Sequence, residues 1–116
     1  MDVEGWVASA YPEMVRVRRA LHRIPEVGFE EVKTARFVAA CLRELGLAVR
    51  EGVGKTGVVA DLSGSGAGPR VLLRADMDAL PIPEETGAPH ASEHAGRMHA
   101  CGHDGHMAVL LSAARF

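Results

Sequence analysis

The densest chemistry in this sequence lies in HACGHDGH, residues 99–106, which puts three imidazoles and a thiol at four of eight positions. Five of the six histidines (His90, His94, His99, His103 and His106) fall within 17 residues. Cys101 and His103 are two apart, so on an extended or looping segment both side chains can reach one ion. Thiolate and imidazole are natural ligands for zinc and related metals. Asp104 is placed to orient an imidazole from behind, and Gly102 and Gly105 allow a tight turn. A Cys101 nucleophile with His103 or His106 as base ranks lower, because neighbours on one short loop rarely reach that geometry.

A second group sits in RADMDALP, residues 74–81, after the apolar run 71–73. Asp76 and Asp78 would end a strand, where open α/β sheets place their ligands. Residues two apart on a strand share a face, and two carboxylates on one face repel unless a cation or donors lie between them. A pair of turn-forming aspartates is the competing reading. Glu84, Glu85, His90, His94 and His99 are the nearest further ligand candidates, each read first as a loop or surface residue. Cys41 reads as a small buried apolar residue. His22 reads as a helix-end residue beside the negative C-terminus.

The elements that must position these residues follow from periodicity. Trp6, Val7 and Ala10 form one apolar face, and Pro12 suits the first turn of a new helix. Met14, Val17, Leu21 and Ile24 recur at helical spacing until Pro25 stops the run. A second helix is expected over 30–45 with Ala35, Val38, Leu42 and Leu45 inward and Gly46 as its cap. Strands are expected over 47–51, 56–62 and 71–75, the last buried on both faces as in a parallel sheet. A final helix is expected from about His106. This order is α/β in character.

Composition bounds the rest. The chain has 116 residues, 47% hydrophobic and 24% charged, enough for one ordinary domain. Thirteen basic against fifteen acidic residues exclude a strongly basic nucleic-acid binder and a polybasic membrane-surface protein. No run of 18 apolar residues is present, so no membrane span is expected. The acidic start and two isolated cysteines make a cytoplasmic location the expectation.

Three segments together resemble the amidohydrolase branch of the dizinc aminoacylase and carboxypeptidase family, which includes hippurate hydrolases and auxin-conjugate hydrolases. They are LHRIPEVGFEEVKTA (21–35), TGVVADL with VLLRADMDALPIPEETG (56–87), and GRMHACGHDGHMAVLLSAA (96–114). The resemblance implies the N-terminal part of a helix–sheet–helix metallohydrolase catalytic domain, incomplete over 1–116. It implies Cys101 and His103 as metal ligands and Asp78 as the aspartate that supports catalysis. Asp76 falls where related branches hold a metal-binding histidine and is read as a supporting group. The implied reaction is hydrolysis of N-acyl amino acids with two divalent metal ions per active site, zinc, manganese, cobalt or nickel. Family members are much longer; their general-base glutamate, further ligands and lid or dimerisation domain lie downstream of the segment matched here. The chain is therefore expected to be inactive alone and to form homo-oligomers. The alternative is a non-enzymatic fragment whose Cys101 and His103 share a metal between two copies.

Overall fold

The computed structural model describes residues 2–116. Its elements run α1 (Val3–His22), α2 (Val32–Glu44), β1 (Ala48–Val53), β2 (Gly57–Asp61) and α3 (His103–Arg115). The fold is α/β: helices packed about a small sheet, with a long irregular segment between β2 and α3.

Helix α1 opens on Asp2, whose carboxylate accepts from the Gly5 N–H at 2.9 Å, satisfying one of the free donors of the first turn. It then runs unbroken through Pro12. The expected restart at Pro12 is therefore corrected. Proline lacks an N–H and its ring presses on the preceding turn, a cost of about 3 kcal/mol. Its fixed φ is nevertheless helical, Pro12 is exposed, and apolar contacts on both sides hold the helix together. Trp6 packs edge-on against Phe116 with centroids 4.8 Å apart. One turn and more beyond Pro12, Val17 and Leu21 enter the core.

That core is small and lies between α1 and α3. Val17, Leu21, Met107 and Ala108 are buried together, with Phe37, Val38, Leu111, Ala75 and Met77 packed around them. Helix α2 covers the sheet and also touches α3. Its first turn has no capping side chain of its own. Glu26, outside the helix, serves instead: it accepts from the N–H groups of Lys33 and Thr34 at 3.1 and 2.7 Å and from the Thr34 hydroxyl at 2.8 Å. Burial pushes the Glu26 carboxyl up, but these donors outweigh it and hold it below the usual range. At the other end Gly46 takes φ +76° and its N–H returns to Arg43 O at 2.8 Å, the expected C-terminal cap.

Strands β1 and β2 pair antiparallel, from Ala48 opposite Asp61 to Val53 opposite Gly57, with a bulge between Glu51 and Val53. The third expected strand does not form. Residues 71–75 join no ladder, and Val71 and Leu72 are 82% and 84% exposed. The apolar run has strand composition, but a strand exists only through hydrogen bonds to a neighbour. Among the described residues none lies beside it. Among the described residues no helix is long and apolar enough to cross a membrane.

Candidate metal centre

Helix α3 begins at His103, three residues earlier than expected, because Gly102 turns the chain at φ +86°. His106 consequently sits one turn inside the helix and exposed, not at its mouth. The loop carrying Asp76 and Asp78 passes in front of this first turn. Ligand atoms of Asp76, Asp78 and His103 come within 4.8 Å of one another, the one such group of three among the described residues. The His103 Nδ1–H lies 2.9 Å from the Asp78 carbonyl oxygen and 3.0 Å from its Oδ1. That contact fixes the ring and leaves Nε2 for another partner. Asp76 Oδ1 accepts from Arg74 Nη2 at 2.5 Å, which offsets part of the charge that two adjacent carboxylates bring together.

Two oxygens and an imidazole nitrogen suit a divalent ion such as zinc or manganese. Donors about 2.1 Å from a shared ion lie no more than about 4.2 Å apart, so the three need close only slightly. Cys101 is exposed and stands outside this group. The structure thus brings His103 to Asp78 and adds Asp76 beside them.

The other histidines serve different ends. His94 Nδ1 donates to Pro25 O at 2.8 Å. His90 Nε2 accepts from Arg18 at 3.1 Å; burial and the surrounding arginines lower its basicity. His99 is 3% exposed with no protein partner for either nitrogen. Burial depresses its pKa first, and the nearby His22 and His103 add to that. The Cys41 thiol is half-buried, and burial raises its pKa, consistent with a packing role.

The largest addition to the sequence reading is His22. It does end α1, as expected, but it is also 3% exposed and held between two carboxylates. Nδ1 lies 2.7 Å from Asp104 Oδ2 and Nε2 lies 2.5 Å from Glu84 Oε1. Asp104 is fully buried and also accepts from Arg18 Nε at 2.8 Å. Glu84, read as a loop residue, has its side chain shielded and accepts the Ser92 N–H at 3.0 Å. Burial works to raise its carboxyl; the donors from His22 and Ser92 prevail and lower it. Asp104 does orient an imidazole, as its position suggested, but it is that of His22. The partners lie 62 and 82 residues away in sequence, beyond reach of any spacing argument.

Comparison with known proteins shows what the chain resembles. Residues 72–116 match the model of peptidase family M20/M25/M40. The chain matches the N-terminal portion of that family. An N-acetyl-L-cysteine deacetylase of Bacillus subtilis is 53% identical over 88% of this chain and 24% of its own length. A hippurate hydrolase of Campylobacter jejuni is 48% identical over 100% of this chain and 28% of its own. Among solved structures, a Bacillus subtilis protein described as a dinuclear metal binding peptidase of the M20 family superposes with a TM-score of 0.87. It is 40% identical, over 93% of this chain and 30% of that one. The chain thus spans about three tenths or less of these relatives.

Proposed function

We propose that residues 1–116 form the N-terminal portion of a metal-dependent amidohydrolase catalytic domain that cleaves N-acyl amino acids of the hippurate or N-acetyl type. The observation that carries this reading is the convergence of Asp76, Asp78 and His103. A divalent cation held there supplies a Lewis acid that polarises an amide carbonyl and acidifies water. His103 would be a ligand of such an ion, with its ring held by the carbonyl and carboxylate oxygens of Asp78. Cys101, two residues before His103, is the further ligand that the family resemblance assigns; its thiol is exposed. The remaining ligands and the general base come, on this reading, from residues that the longer relatives carry beyond the matched segment.

The test is hydrolysis of hippurate and of N-acetyl amino acids by the full chain as its gene encodes it. Activity is expected to vanish on chelation and to return with zinc, manganese, cobalt or nickel, and His103→Ala is expected to lower metal affinity by about tenfold or more. Turnover that survives complete chelation overturns the reading. The exposed Cys101 thiol favours a second reading, in which Cys101 and His103 of two copies share one ion. One metal per two chains, lost in Cys101→Ala, with no turnover, would establish it instead.

A further inference from the structure

We propose that His22 is a positioning residue for this metal centre: it sets the rotation of the first turn of α3, and through it the aim of His103. The inference rests on the metal reading above and goes beyond it, because His22 touches none of the three candidate ligands.

The argument begins with what holds α3. Its buried apolar contacts, Met107 and Ala108 against Val17 and Leu21, lie a turn further along the helix. Apolar packing is non-directional and tolerates small rotations. The polar contact at the helix start does not. Asp104 Oδ2 is gripped by His22 Nδ1–H at 2.7 Å and by Arg18 Nε–H at 2.8 Å, both from α1. Charge-assisted hydrogen bonds of that length demand alignment. His22 cannot swing to follow a displaced Asp104, because its opposite nitrogen is tied to Glu84 Oε1 at 2.5 Å, and Glu84 is tied to the Ser92 N–H at 3.0 Å. The imidazole is therefore a strut between the last turn of α1 and the first turn of α3, fixed at both ends.

His103 precedes Asp104 in that first turn. Successive residues of a helix project about 100° apart. With Asp104 pinned toward α1, His103 is turned toward the loop that carries Asp76 and Asp78, where its Nδ1 meets Asp78. If the strut is removed, Asp104 keeps only the contact from the half-exposed Arg18, and donor atoms that must close within a few tenths of an ångström lose their register.

Two substitutions separate positioning from mere filling of space. The Asn amide nitrogen can stand where Nδ1 stands, and the Gln amide nitrogen where Nε2 stands. His22→Asn therefore retains the donor to Asp104 and gives up Glu84; His22→Gln retains the donor to Glu84 and gives up Asp104. Affinity for Co2+ is measured by calorimetry on the full chain, with the Co2+ absorption spectrum recorded and folding followed by circular dichroism. His22→Gln is expected to bind Co2+ about 10- to 100-fold more weakly, with an altered spectrum. His22→Asn is expected to bind at least about tenfold more tightly than His22→Gln, with a spectrum like that of the unsubstituted chain. If both variants bind equally and the unsubstituted chain binds normally, the positioning role is overturned while the metal reading stands. If the unsubstituted chain does not bind Co2+, the metal reading falls and this inference with it. Should His22→Gln not fold, Asp104→Asn decides: a weakened affinity supports the role, and an unchanged one overturns it.

Discussion

The clasp around His22 and the run 71–74 are opposite solutions to one problem. Around His22, a ring and two carboxylates are withdrawn from water, yet each meets a hydrogen-bonding partner. In the run Val71-Leu72-Leu73, side chains with every reason to be buried have no neighbour over them among the described residues. The difference lies in what each region needs from elsewhere. A helix satisfies its own backbone, so α1 and α3 need only an apolar stripe and a few side-chain contacts to settle. A strand satisfies its backbone only against another strand, and apolar sequence does not substitute for that neighbour.

The sharpest way to break this comparison is a pair of truncations. Leu21→Ala, at a fully buried position in the α1–α3 core, is expected to cost about 2–5 kcal/mol. Leu72→Ala, 84% exposed, is expected to change stability by no more than about 0.5 kcal/mol. Urea denaturation of both variants checks this, and equal losses would show that the run is packed in solution.

Next in size is Glu26. Glu26→Gln keeps the shape but weakens three hydrogen bonds at the start of α2, with an expected loss of about 1–3 kcal/mol. The pH dependence has a definite sign. Because the folded-state carboxyl is depressed, its stabilisation is complete above the unfolded value of about 4.3 and is lost as pH falls through the lower folded value. Melting followed from pH 7 downward is expected to show a steeper acid loss in the native chain than in Glu26→Gln.

The smallest effect belongs to charge pairing outside both regions. Arg16 and Glu13 form a close pair on α1, but both are well exposed. Arg16→Ala is expected to shift stability by about 0.5 kcal/mol or less, an amount that salt would erase. A larger change in thermal denaturation would mean that exposed pairs matter here as much as the buried clasp.

What could be read from the sequence follows the same division. The two segments RADMDALP and HACGHDGH stand out in the sequence because their candidate ligands lie close together along the chain. Helix α2, its Gly46 cap and the β1–β2 pair were legible, all made by local contacts. The continuation of α1 through Pro12 was not, since proline's local penalty is visible in sequence and the tertiary packing that overcomes it is not. Nor was the exposure of residues 71–74: apolar composition announces a strand but says nothing of whether a partner lies beside it. His22 was hidden for the plainest reason, that its meaning lies with Glu84 and Asp104. The one available hint was Asp104 itself, a carboxylate set to hold an imidazole.

The distance that hid the clasp also bears on how the molecule assembles. Joining His22 to Glu84 and Asp104 closes loops of 62 and 82 residues. The entropy of drawing such distant points together must be met before the contacts reward it. The hairpin and the helices, built from near neighbours, can form ahead of that closure. A fastening added last belongs to the descent from the folding barrier, not to the climb. Its service is to slow the molecule's opening, leaving the speed of its folding nearly untouched.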